Sequence, residues 1–260
     1  MQTPALAAFL KETGKVVHFL NTIAVGLSSV ETGVVVRPSG LDVSWNPSNP
    51  QSSGRQARAF TQRATIVFVA EEFCEYVLCI STSPACSEQL VHLKQDRASR
   101  VTSLNKHFSL DEDYSFLGPL LLVHWRNRIV HPRRSNAGLT KAQRSSFIHD
   151  SEIVKAKYKN LDPAITLAHF DENRPSLKDV SSLVSMTINY VKGIEARIPE
   201  PTSRDEVIAW LTSLGLAEKL DRVKRESQAK GKRRVGEQTF LNTHFPAIAE
   251  HYFRFCFEEA

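Results

Sequence analysis

The chain has 260 residues, a formal net charge of +5 and a pI near 9.0, with 42% apolar and 23% charged residues. That length carries one large domain, or a domain of about 150–200 residues with a small appendage. The composition excludes a wholly disordered chain, which has fewer apolar residues and more net charge. The mild basicity permits a polyanionic partner without requiring one.

Leu6, Phe9, Leu10, Val17, Leu20 and Ile23 recur at three-to-four-residue steps and predict a helix over 4–29. Val16 to Leu27 faintly resembles a signal-peptide core, but His18, Asn21 and Thr22 interrupt it. An amphipathic helix of a cytoplasmic protein is the expectation. Residues 33–45 set two β-rich runs around Pro38-Ser39-Gly40, which predicts a β-hairpin. Asn46 to Gly54 then reads as a Pro/Ser/Asn loop, so that 33–54 form one hairpin-and-loop insertion.

A second helix is predicted over 55–82, apolar on most sides of its centre as in a helix buried between neighbours. Ser83-Pro84 breaks it. Helices follow over 86–104 and 110–131, the second led by the acidic Asp111, Glu112 and Asp113 and ended by Pro132. Residues 133–175 read as irregular or weakly helical. Residues 176–198 read as a clear last bundle helix, stopped by Pro199-Glu200-Pro201. A short helix pair over 205–214 and 217–226, the basic run 222–234 and an aromatic-rich end from Gly236 to Phe257 complete the chain. The expected fold is mainly α: a helical bundle over 1–198 with the hairpin insertion, and a small helical extension over 199–260. The longest apolar stretch, Leu117 to Val123, is far shorter than the roughly 20 residues a bilayer span needs, and no membrane partner is expected.

Cys74, Cys79, Cys86 and Cys256 read as reduced thiols in a reducing compartment rather than a disulfide framework. The remaining histidines form no ligand-spaced set such as HExxH, so neither a metal nor another cofactor is expected.

The stretch that carries chemistry is Leu120 to Arg134, LLLVHWRNRIVHPRR. An apolar helix ends in Arg126, Asn127 and Arg128, then Ile129 and Val130, then His131-Pro132. On a continuous helix Arg126 and His131 stand about 140° apart. The residue before a proline is driven off helical geometry, which frees His131 to swing back beside Arg126. Arg supplies a planar fork for phosphate oxygens and His a proton donor and acceptor near neutral pH. The Asn127 amide is placed to orient the imidazole. The plainer reading of the three is a helix C-cap with basic residues at the negative end of the dipole.

This stretch resembles the HEPN superfamily, whose signature is Arg, usually followed by Asn, a short spacer and His at the end of a bundle helix. The aromatic-acidic run Glu71-Glu72-Phe73-Cys74-Glu75-Tyr76 is similar to the run in several HEPN families, and the resemblance covers roughly residues 4–198. It implies a metal-independent endoribonuclease that works as a homodimer, with both motifs facing one composite cleft. His131 would handle protons as the ribose 2′-OH attacks the neighbouring phosphodiester, Arg126 would stabilise the charge on the phosphoryl group, and Asn127 would orient His131. The product would be a 2′,3′-cyclic phosphate. The setting it implies is a toxin or antiviral effector, held by an antitoxin or defence-system partner.

Arg128, Arg133 and Arg134 lie near the motif and are candidate RNA-phosphate contacts, as are Lys232, Arg233 and Arg234 in the basic run. For each, a solvated surface charge is the competing reading. Glu72 and Glu75 are the candidate carboxylates to pair with Arg126, with an exposed acidic stripe as the equally open reading. Two further functions compete: a non-catalytic HEPN-like module that binds RNA, nucleotide or a partner protein, and a DNA-binding regulator using the 205–226 helix pair with the basic run.

Overall fold

The computed structural model describes residues 1–33, 35, 37, 39–86, 96–133 and 138–257. Those residues form twelve helices and no strand. In chain order they are α1 (Pro4–Glu31), α2 (Pro50–Ser81), α3 (Arg97–His107), α4 (Tyr114–Val130), α5 (Lys141–His149) and α6 (Ser151–Lys157). Then come α7 (Pro163–Asp171), α8 (Leu177–Glu195), α9 (Arg204–Ser213), α10 (Ala217–Gln228), α11 (Arg233–His244) and α12 (Pro246–Cys256). The mainly α expectation therefore stands. No helix among the described residues is long and apolar enough to cross a membrane.

Several helix starts follow from local chemistry. Asn49 Oδ1 accepts from Ser52 N at 2.9 Å, and Pro50 opens α2 where a missing N–H costs nothing. Part of the expected 46–54 loop is thus the first turn of a helix. Asp113 caps α4 through Ser115 N (2.8 Å), and Asp162 caps α7 ahead of Pro163. Thr140 and Gln143 form a reciprocal capping box at α5. The stretch 133–175, expected to be irregular or weakly helical, therefore holds three helices among its described residues. Each is too short to show a strong apolar period, and their caps are the clearer signal.

The β-hairpin expected in the 33–54 insertion is a correction. Its described residues carry no strand, Leu41 and Val43 are 50% and 44% exposed, and Arg37 Nη1 donates to Val43 O at 2.7 Å. A lone two-stranded ribbon with its apolar residues in water buries too little to offset its chain entropy. Residues 34, 36 and 38 lie outside the described residues, as do 87–95 of the helix expected over 86–104.

The chain clusters into two compact units. One comprises Leu10–Cys74 and Asp111–Tyr190; the other comprises Met1–Phe9, Glu75–Leu110 and Val191–Ala260. The boundary read from sequence at 198/199 lies inside the second.

In the first unit α4 is the core element: every residue from Phe116 to Trp125 is buried. Such a helix has no face for water and must be enclosed. Gly118 lets α8 approach closely, since a Cβ there would lie 2.5 Å from Met186 Sδ and 3.0 Å from Met186 Cβ. Phe116 and Phe73 both pack on Tyr190, and Trp125 meets Phe170 edge-on at 5.6 Å. α2 is only half-buried: Ile66, Val69 and Phe73 point inward while Phe60 and Phe68 are exposed.

In the second unit a buried carboxylate ties the chain together. Glu195 accepts from Thr3 N (2.7 Å), Thr3 Oγ1 (2.6 Å) and Tyr76 Oη (3.1 Å). Burial pushes its carboxyl above the usual carboxylate range, against the opposing pull of those hydrogen bonds. Burial also pushes the Cys86 thiol up to about 11, which makes it a poor nucleophile. Further along, Gly236 packs on Ser227, where a Cβ would lie 2.6 Å from the serine Cβ, so α10 and α11 form a tight hairpin.

Two outcomes follow. Gly118→Val is expected to destabilise the protein by about 1–3 kcal/mol in urea titration through overpacking against Met186; an unchanged midpoint would refute the close approach. Because the folded pKa of Glu195 is raised, its contribution is fully present below the ordinary value and is lost as pH rises through the folded one. Glu195→Gln should therefore reduce the fall in Tm as pH rises above the ordinary glutamate value of about 4.3. An unaltered pH dependence would remove Glu195 as its source.

Candidate active site at the end of α4

α4 leaves the core at one point. Residues through Trp125 are buried, Arg126 to Ile129 are half-buried, and Val130 and His131 are exposed. The motif therefore sits where an enclosed helix meets water. His131 N still donates to Asn127 O at 2.9 Å, but its φ of −124° and ψ of 60° take it off the helix ahead of Pro132.

That departure returns the imidazole to the guanidinium. Arg126 Nη1 lies 3.5 Å from His131 Nε2 and donates to Asn127 Oδ1 at 3.1 Å. In the neutral tautomer that fits this contact, Nε2 presents its lone pair to Arg126 and the proton sits on Nδ1. Asn127 holds the arginine rather than the histidine it was expected to orient.

The third partner of Arg126 is one that sequence reading missed. Arg126 Nε donates to Glu71 Oε1 at 2.6 Å, and Nη2 reaches the same oxygen. The side chains are 12% and 37% exposed respectively, so the pair is half-desolvated and fixes the guanidinium plane. Glu72 and Glu75 were the expected carboxylates. Glu72 is half-buried and Glu75 is exposed, and Glu71 takes the place assigned to them. Three glutamates within five positions left the choice open, because only the rotation of α2 about its axis decides which one faces α4.

Arg128, the expected RNA contact, has partners within the protein: its Nη1 donates to Phe170 O (2.9 Å) and Asp171 O (3.3 Å), and its Cζ lies 4.1 Å above the Phe170 ring. It caps the C-terminus of α7, where the helix dipole favours a cation. Arg133 is exposed, and Arg134 lies outside the described residues.

The basic run is not a loop: it spans the end of α10, a turn and the start of α11. Lys232 is exposed in that turn. Arg233 donates to the fully buried Glu237 at 2.8 Å, and Tyr252 Oη donates to the same carboxylate at 2.7 Å. Arg233, an expected RNA-phosphate contact, is thus paired with a carboxylate while its side chain stays 46% exposed. Arg234 lies over the Phe253 and Phe257 rings at 5.8 and 5.6 Å.

Chemically, the end of α4 offers a fixed guanidinium, a carboxamide and an imidazole within one hydrogen-bonded cluster. It suits an oxyanion beside a group that exchanges protons. Arg128→Ala is expected to cost about 1–2 kcal/mol in chemical denaturation, through lost carbonyl hydrogen bonds and ring stacking. A neutral substitution would return Arg128 to the candidates for ligand contact.

Compared with protein-family models, with curated proteins and with solved structures, the chain matches none.

Proposed function

We propose that the chain is a metal-independent endoribonuclease of the HEPN type. The observation that carries this reading is the Arg126–Asn127–His131 cluster at the point where a buried helix emerges into water. His131 takes the proton of a ribose 2′-OH, whose oxygen attacks the adjacent phosphorus. The bond from phosphorus to the 5′-oxygen breaks, and that oxygen is protonated as it leaves. Arg126 stabilises the negative charge that builds on the phosphoryl oxygens. The products are a 2′,3′-cyclic phosphate and a free 5′-hydroxyl.

One histidine per motif supplies either the general base or the general acid at a given instant. A homodimer with a composite cleft supplies both, one from a protomer and one from its partner. The biological setting that fits is a cytoplasmic toxin or antiviral effector restrained by an antitoxin or another defence component.

A second reading has its own observation. Glu71 already neutralises Arg126, as expected of a structural ion pair in a non-catalytic HEPN-like module that binds RNA, nucleotide or protein. The two readings separate in one experiment. Total RNA is incubated in EDTA with wild type, His131→Ala and Arg126→Ala, and the fragment ends are assayed for cyclic phosphate. The nuclease reading expects cleavage by wild type, and loss of about 100-fold or more in each variant. Cleavage that survives His131→Ala in a folded protein defeats it.

A further inference from the structure

A second site lies in the C-terminal helices, away from the motif in sequence. Arg234, Gln238 and Asn242 stand at successive four-residue steps on α11, so their side chains form one row along the helix. Across from them α12 presents Glu250, Phe253 and Arg254. The space between is a cleft of 620 Å³, lined by all six. That is within the size range of small-ligand and nucleotide sites.

The chemistry of the lining is specific. Gln238 and Asn242 are exposed and have no hydrogen-bond partner among the described residues. Two carboxamides in a row, each with a donor and an acceptor, match the edge of a nucleobase. Arg254 supplies an exposed guanidinium, and Arg234 a second one over the Phe253 ring. Arg planes and aromatic rings are the surfaces on which unpaired bases stack, while the guanidinium charge serves the phosphates. Glu250 adds one carboxylate that accepts from base N–H groups. This charge pattern is too balanced for a pure polyanion site, and base edges buried inside a duplex are out of its reach.

We infer that the α11–α12 cleft is a binding site for single-stranded RNA, with the bases read by Gln238, Asn242 and Glu250, a base stacked at Phe253, and the phosphate held by Arg254. The choice of RNA rests on the nuclease reading above; the cleft itself does not.

The test uses the full chain carrying His131→Ala, so that RNA stays intact. Binding of a 12-nucleotide labelled single strand is followed by fluorescence anisotropy at several salt concentrations. Arg254→Ala should weaken binding about fivefold to tenfold and lower the salt slope by about 0.7. The double variant Gln238→Ala/Asn242→Ala should weaken it about tenfold and leave that slope unchanged. These side chains are exposed, and thermal melts check that each variant folds. Unchanged binding in both variants overturns the inference. So does equally tight binding of inorganic polyphosphate, or of duplex RNA of the same length. If wild type cuts no RNA yet the single strand binds as described, the nuclease reading fails and the cleft stands. If RNA is cut but the variants bind normally, the cleft fails and the nuclease reading stands.

Discussion

The burial of α4 is the constraint on which the first unit depends. From Phe116 to Trp125 the helix exposes nothing to water, so neighbours must cover it on every side. Each large apolar side chain placed there contributes roughly 1.5–3 kcal/mol relative to exposure. Gly118 admits Met186 of α8, and Trp125 meets Phe170 of α7. Arg128 then closes the free carbonyls of α7, so a charged residue one turn beyond the core completes the enclosure. The same burial fixes where chemistry is available. Arg126 is the first residue past the enclosed stretch that is not buried, and its position is set by the packing below it.

Glu71 gives that position an orientation. A guanidinium bound through Nε and Nη2 cannot rotate freely, and its remaining nitrogen is directed to Asn127 and His131. A nuclease benefits from such preorganisation, because the arginine need not be ordered when the phosphate arrives. Glu71 also competes with that phosphate, since both are anions seeking the same fork. The balance between these effects separates an active site from a structural pair, and the two proposed functions differ at this residue.

The second unit handles charge differently. Glu195 and Glu237 are buried carboxylates, each surrounded by donors: Thr3 and Tyr76 for one, Arg233 and Tyr252 for the other. A buried charge left unpaired is costly, so these networks fix neighbouring segments with little freedom. Arg233 of the basic run is thereby ion-paired while it stays at the surface. The row Arg234, Gln238 and Asn242, which looks unremarkable in sequence, lines a cleft because α12 lies opposite it.

Local patterns in the chain were enough for the helical class, the long helices, and the Arg126–Asn127–His131 spacing with its break at Pro132. These are local properties: periodicity, capping and the steric effect of proline act within a few residues. The hairpin at 33–54 failed because β-structure needs partners, and nothing within 33–45 says whether a third strand exists. The stretch 133–175 reads only as irregular or weakly helical because short amphipathic segments carry little period, although Thr140 and Asp162 mark helix starts. Helix packing settled that Glu71 rather than Glu72 or Glu75 meets Arg126 and that Arg128 caps α7. Each of those choices depends on the rotation of one helix against another. That rotation is set by the packing of side chains far apart in the chain, which no local pattern records.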